Sequence, residues 1–201
     1  MKIITSLLIT LFSATVVVGQ IPAVLSIGSA IPMSDVKMKS VSGKQVTIKD
    51  ALKKNGVLVM FSCNTCPYVV KYQTRTLETI KEAEKRNIGV VIVNSNEEYR
   101  TDADSYDAMK LYAKKQGYTV PYVLDSKSAL ADAFGATRTP ECYLFDASGK
   151  LIYHGAIDDN ATASQVGRKH LFTAIDESLA GKEVSVKETR SIGCMIKRAD
   201  L

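Results

Sequence analysis

The 201-residue chain lacks tryptophan, has only two histidines, and contains no basic run interleaved with aromatic side chains. Proteins that follow a phosphate backbone usually carry such a run, and the formal net charge here is only +5. Nucleic acid is therefore not an expected partner. The composition, 46% hydrophobic and 23% charged, excludes a disordered chain, a repeat array or a fibre. The length suits one domain with a sizeable core.

Beyond residue 20 the sequence lacks any apolar stretch that could cross a bilayer, so stable membrane insertion is not expected. In the first 19 residues, Lys2 precedes a short apolar core and then small residues, the pattern of a secretory signal. Val17 and Gly19 suit a cleavage site that leaves Gln20 first. An uncleaved anchor is disfavoured because Ser and Thr interrupt a stretch already shorter than about 20 apolar residues. We predict a signal peptide at 1–19 and a secreted or periplasmic protein.

The central part of the chain predicts a βαβ unit. The apolar runs 56–61 and 88–93 are typical of strands buried on both faces, as in a parallel sheet. Between them, helical spacing predicts an amphipathic helix to about Arg86, with Val69, Val70 and Leu77 on its apolar face. Pro67 is tolerated because it falls in the first turn of this helix.

The other elements complete the order of a thioredoxin-like fold. A hairpin is predicted within 35–50, a helix to about 115, a strand at 120–124 and a short helix at 129–134. A second hairpin at 142–154 and a final helix at about 164–179 follow. We predict an α/β, three-layer, thioredoxin-like domain at 20–181 with a central mixed sheet and an N-terminal hairpin extension. A polar C-terminal tail without strong periodicity covers 182–201.

Cys63 and Cys66 stand two residues apart, between the first buried strand and the amphipathic helix. A helix N-terminus stabilises negative charge, and the thiolate is the form of cysteine that attacks disulfides. We expect Cys63, at the strand end and exposed to solvent, to be the nucleophile. Cys66 would then attack the mixed disulfide and release the substrate. No cofactor is needed for this chemistry.

Two other roles for the pair are weaker. A structural disulfide across four residues would remove only roughly 2 kcal/mol of unfolded-state entropy, and a bridge between Cys142 and Cys194 would remove more. Zinc requires four ligands, usually in two close pairs, but Cys142, Cys194, His154 and His170 are isolated in the sequence. No metal site is therefore predicted. For Cys142 alone, an inert buried thiol is the default.

The segment 61–69 resembles the peroxiredoxin-like, thioredoxin-fold redoxin domains of the alkyl hydroperoxide reductase/thiol-specific antioxidant superfamily. The resemblance continues at Thr139-Pro140, at 157–159 and in the tail from 180 to Cys194 and Lys197. It implies that Cys63 and Cys66 are the redox pair. It also implies a cis-proline at Pro140 beside them, with Thr139 presenting its backbone to a substrate chain.

Several positions depart from that family's pattern. Thr65 replaces a common histidine before the second cysteine, which should make the dithiol more reducing. Val57 replaces the buried acid of thioredoxin; Glu141 could substitute as a base, although we expect it to be a surface carboxylate. Met60 replaces the Thr or Ser with which true peroxiredoxins hold the peroxide. Cys194 is either a third redox thiol or half of a bridge to Cys142.

Three functions therefore compete. The first is a thiol–disulfide oxidoreductase acting on protein or small-molecule disulfide and thiol substrates, with a separate redox partner. The second is a thiol-dependent peroxidase, which Met60 disfavours. The third is a non-enzymatic copper carrier, in which Cys63, Cys66 and one histidine hold the soft Cu(I) ion.

Overall fold

The computed structural model describes residues 23–199. The predicted signal peptide lies outside these residues. Within them, no helix is both long and apolar enough to cross a membrane.

The described chain forms strands and helices in the predicted order. The strands are β1 (Met38–Ser40), β2 (Gln45–Val46), β3 (Val57–Ser62), β4 (Gly89–Asn94), β5 (Tyr122–Leu124), β6 (Arg138–Thr139), β7 (Glu141–Phe145), β8 (Leu151–Gly155) and β9 (Cys194–Met195). The helices are α1 (Ile48–Ala51), α2 (Pro67–Lys85), α3 (Tyr106–Gln116), α4 (Ala129–Phe134) and α5 (His170–Leu179).

Seven strands form one mixed sheet in the order β2-β1-β5-β4-β3-β7-β8. The pairs β3–β4 and β4–β5 are parallel, whereas β3–β7, β7–β8 and β1–β5 are antiparallel. β3 and β4 are buried along their whole length, as their continuous apolar runs predict. β1 and β2 form the predicted N-terminal hairpin, which extends the main sheet at its edge through pairing of β1 with β5.

Alternate residues of the central strands point to opposite faces, and each face carries its own core. Leu58 and Met60 contact the cluster that includes residues of α2, α3 and α5. Val59 and Phe61 contact the other cluster, which includes residues of α1 and α4. The three-layer thioredoxin-like architecture is thus confirmed.

Two local predictions are corrected. Val70 is 60% exposed, because the stripe that α2 buries runs through Val69, Tyr72 and Ile80, one helical step away. The final helix begins at His170 and not near residue 164. The Asp159 carboxylate accepts a bond from the Gly167 N–H at 3.0 Å, which keeps the preceding segment in a loop.

The polar tail is packed against the domain despite its lack of periodicity. Val184 and Ile196 are buried in the two cores. The Thr189 hydroxyl lies 2.7 Å from that of Tyr153 and accepts a bond from the Ala156 N–H at 3.0 Å. Further along, β9 pairs with β6 in a separate two-stranded sheet. The tail therefore reaches the end of the main sheet at which β3 stops.

Candidate active site

The dithiol lies where β3 ends and α2 begins. Cys63 follows directly after the buried strand, and Cys66 occupies the N-cap position of α2, with Pro67 as the first helical residue. The Cys66 carbonyl accepts the bond from the Val70 N–H at 3.1 Å that closes the first turn. The predicted placement of the pair between the buried strand and the helix is therefore confirmed, with Cys63 directly after the strand and Cys66 capping the helix.

Both sulfur-bearing residues are buried, with Cys63 only 1% and Cys66 only 3% exposed. The expectation that Cys63 faces solvent is wrong. Tyr68, Tyr112 and Cys194 pack against the pair and cover it. Tyr112 comes from α3 and Cys194 from β9, so the cover is built from segments remote in sequence.

The two sulfurs share a hydrogen bond, and their pKa values move apart. The pKa of Cys66 is lowered to about 4, chiefly by the bond that the Cys63 thiol donates to it. The Cys194 thiol and the backbone N–H groups of Val69 and Cys194 lower it further, while burial opposes them. The pKa of Cys63 is raised by the same bond to Cys66 and by burial. The lowered pKa of Cys66 and the raised pKa of Cys63 favour the single negative charge of the reduced pair on Cys66.

The opposite protonation of the pair, with Cys66 protonated and Cys63 ionised, also has hydrogen-bond partners. The Cys66 sulfur lies 3.3 Å from the Thr139 carbonyl oxygen, which accepts a bond only when Cys66 is protonated. The Thr139 hydroxyl lies 3.5 Å from the Cys63 sulfur, and the Cys66 N–H also faces it. Fewer donors face Cys63 than Cys66, so Cys66 is the preferred site of the charge.

The Thr139–Pro140 peptide bond is cis, as the resemblance implies. Thr139 is buried, and in β6 it stands opposite Cys194 of β9. The backbone edge expected to receive a substrate chain is thus occupied by the protein's own tail. Gly193 allows this approach, since a Cβ there would lie 2.1 Å from the Thr139 carbonyl oxygen.

The four cysteines are free thiols that fall into two groups. Cys142 is fully buried in the core cluster around Leu58, and burial raises its pKa, which is typical of an inert thiol. Cys194 packs instead with Cys63 and Cys66. The structure contains no bridge between Cys142 and Cys194.

Glu141 is only 4% exposed, so the expectation of a surface carboxylate is wrong. One of its oxygens accepts bonds from the N–H groups of Thr137 and Arg138 at 2.8 and 2.9 Å. The other lies 2.7 Å from Nε2 of His154, whose ring stacks on Tyr143. One oxygen thus holds the segment before the cis-proline and the other is bonded to β8, so Glu141 is a positioning residue in this arrangement.

A polar network behind the dithiol was missed by sequence reasoning. The buried Asp104 carboxylate accepts bonds from the Asn64 N–H at 2.8 Å and from Nδ2 of Asn94 and Asn96 at 2.7 and 2.9 Å. The Tyr122 hydroxyl donates to Oδ1 of Asn64 at 2.8 Å. The network fixes the loop between the two cysteines. The one available signal was Asn94, a polar residue at the carboxyl end of a buried parallel strand beside β3.

The two histidines lie on β8 and at the start of α5. His154 is engaged with Glu141, and His170 starts α5. Within residues 23–199, no three His, Cys, Asp or Glu side chains group in a way that could hold a metal ion.

A protein-family model described as Redoxin matches residues 26–169. The solved structure of an uncharacterized conserved protein from Geobacillus kaustophilus is 30% identical, covers 88% of this chain and 94% of its own, and has a TM-score of 0.81. A hypothetical protein from Sinorhizobium meliloti 1021 is 28% identical, with coverages of 89% and 98% and a TM-score of 0.81. The thioredoxin domain of a thiol-disulfide oxidoreductase from Bacteroides vulgatus shares the fold at 20% identity, coverages of 65% and 88%, and a TM-score of 0.54. No curated protein matches the sequence.

Proposed function

Because the chain belongs to the Redoxin family, we propose that it is an exported thiol–disulfide oxidoreductase whose Cys63 and Cys66 exchange a disulfide with a substrate. A thioredoxin-like redox function follows from the family and the fold; the residues and the reaction are our proposal. The observation that carries it is the packing of Cys63 against Cys66 at the start of α2, beside the cis Thr139–Pro140 bond, with the pKa of Cys66 lowered to about 4.

The reaction begins with a proton transfer within the pair. Cys66, the resting thiolate, takes the proton of Cys63, and the Cys63 thiolate attacks one sulfur of the substrate disulfide. A bond forms between Cys63 and that sulfur, the substrate S–S bond breaks, and the second substrate sulfur leaves as a thiolate. The bonds from the Thr139 hydroxyl and the Cys66 N–H stabilise the Cys63 thiolate while it forms.

The second step releases the substrate. Cys66 gives its proton to the departed thiolate and attacks the Cys63 sulfur, which forms the Cys63–Cys66 disulfide and breaks the mixed disulfide. The substrate leaves as two thiols once its remaining sulfur takes a proton from water. The dithiol has lost two electrons and the substrate has gained them. An external dithiol must then reduce the protein for another cycle.

The peroxidase alternative lacks support at the position that matters. Met60, three residues before Cys63, is fully buried and stands opposite Cys142 in β7. Its thioether is part of the core that includes Tyr72, and it cannot donate a hydrogen bond to a peroxide. Peroxide consumption by the reduced protein would overturn this interpretation.

Export remains part of the proposal. Export directed by residues 1–19 would place the protein in a compartment where substrate disulfides persist, and the signal peptide would then be removed. The mass of the mature protein, which should begin at Gln20, tests this point.

The reaction is tested by paired cysteine variants with insulin as the disulfide substrate. Cys63→Ser should abolish reduction, because no other thiol then carries out the first attack. Cys66→Ser should accumulate a mixed disulfide between Cys63 and insulin, visible by mass spectrometry without reduction. Cys142→Ala, which removes the inert buried thiol, is the control and should keep its activity. Activity retained in Cys63→Ser would overturn the mechanism.

A further inference from the structure

A third sulfur lies at the start of α2. Cys194 packs against Cys63 and Cys66, and its thiol lowers the pKa of Cys66. The backbone N–H of Tyr68, in the first turn of α2, faces the Cys194 sulfur, just as that of Val69 faces Cys66. Neighbouring amides of one helix end therefore face both sulfurs.

The tail holds Cys194 in this position from several directions. Arg138 donates to the Gly193 carbonyl at 2.9 Å, and the Ile196 N–H donates to the Thr137 carbonyl at 2.9 Å. On the far side, the Lys197 N–H donates to Oδ1 of Asn96 at 2.9 Å, which ties the tail to the network behind the dithiol. The contact with Cys66 is thus a built feature of the fold.

The three cysteines differ in their exposure to solvent. Cys63 and Cys66 are almost fully buried, whereas Cys194 is half-buried and is followed by the exposed Met195. An external thiol can therefore reach Cys194 while the tail is seated, whereas access to Cys63 requires the segment around Cys194 to move aside.

We propose that Cys194 is the third redox thiol, which takes the disulfide from the buried pair and presents it to the external dithiol that regenerates the protein. The inference rests on the proposed exchange at Cys63 and Cys66. The Cys194 thiolate attacks the Cys66 sulfur of the Cys63–Cys66 disulfide. The Cys66–Cys194 bond forms, the Cys63–Cys66 bond breaks, and Cys63 leaves as a thiolate that takes up a proton. One thiol of the external dithiol then attacks the Cys194 sulfur, which forms a mixed disulfide and releases Cys66 as a thiolate that takes up a proton. The second thiol of that dithiol attacks its own sulfur in the mixed disulfide, which closes the external disulfide and releases Cys194.

The state of the pair controls when Cys194 can react. In the reduced protein, burial and the bond to the Cys66 thiolate raise the pKa of Cys194, which keeps it protonated. Once Cys66 is in a disulfide, it no longer carries the charge that opposes ionisation of Cys194. Cys194 is therefore activated only after the pair has been oxidised.

The first test maps disulfides in the full-length Cys63→Ser variant after oxidation with diamide. An intramolecular Cys66–Cys194 disulfide is expected by peptide mass spectrometry, with Cys142 free. Only intermolecular dimers, or a bridge that excludes Cys194, would overturn the proposal. This test needs no substrate, so its result stands apart from the insulin assay that decides the proposed function.

The second test follows the return of oxidised protein to the dithiol with dithiothreitol in a stopped-flow experiment. Cys194→Ser keeps a hydroxyl donor toward Cys66 but cannot form the relay disulfide, so re-reduction should slow by about ten-fold. Met195→Ser alters the same strand at an exposed position and should react like the unaltered protein. Equal rates for Cys194→Ser and Met195→Ser would overturn the proposal.

Discussion

Two segments border the dithiol, and the protein holds them in different ways. β3, which leads into it, is buried at all six residues and pairs with β4 on one side and β7 on the other. The segment 190–195, which covers it, pairs at only two residues and is anchored at its two ends, by Thr189 and Ile196. The first segment makes the site part of the global fold. The second segment can move without global unfolding, and its position affects both the exposure of the dithiol and the pKa of Cys66.

The largest effect on stability is expected from a change beneath the first segment. Leu58 is fully buried in the core between β3 and α2, so Leu58→Ala should lower the free energy of unfolding by about 2–5 kcal/mol. Urea unfolding followed by circular dichroism measures it. At low urea the folded variant should keep the slow thiol alkylation of the unaltered protein. A loss below about 1 kcal/mol would contradict the role given to this core.

A change in the second segment should open the site with little effect on global stability. In Gly193→Ala the new Cβ would meet the Thr139 carbonyl at 2.1 Å, so β9 must leave its position. We expect iodoacetamide to alkylate the dithiol about ten-fold faster, as in other local openings. Gly167→Ala, in an exposed loop, is the matched control. If Gly193→Ala and Gly167→Ala are alkylated equally slowly, the tail does not cover the site.

The smallest expected effect is a change in the pKa of Cys66, the cysteine that caps α2, caused by Cys194 of the covering segment. The thiolate absorbance of the reduced protein should persist on acidification and disappear near pH 4, the value to which the Cys66 pKa is lowered, instead of near the ordinary value of roughly 8.5. Cys194→Ala should move this transition to higher pH, because the thiol that lowers the pKa of Cys66 is removed. A transition that stays near roughly 8.5 in the unaltered protein would contradict the charge assignment.

The same titration has a consequence for folding. Between about pH 4 and roughly pH 8.5 the folded pair binds one proton, whereas the unfolded pair binds two. The unfolded state binds more protons, so the stability of the reduced protein should rise with pH across this window. Below about pH 4 this contribution is lost. Urea unfolding at several pH values, with Cys66→Ser as the control, measures the slope.

Local patterns were enough to predict the first segment. The apolar runs of β3 and β4, the helical spacing of α2 and the position of Pro67 are all properties of neighbouring residues, and the structure confirms them. Two local predictions were wrong. Val70 lies one helical step outside the buried stripe of α2, and a loop precedes α5 where the helix was expected to begin. Glu141 was misjudged because its burial depends on His154 and on the backbone N–H groups of Thr137 and Arg138, which no local pattern reveals.

By itself the sequence determined that two cysteines stand at the start of an amphipathic helix behind a buried strand, because periodicity and spacing act within a few residues. Only the tertiary structure decided that both sulfurs are buried, that Cys66 carries the charge, and that Cys194 joins them. The physical reason is that solvation and hydrogen bonding depend on distances between atoms. The tail that supplies these atoms follows Cys66 by more than a hundred residues and meets it only in the folded chain.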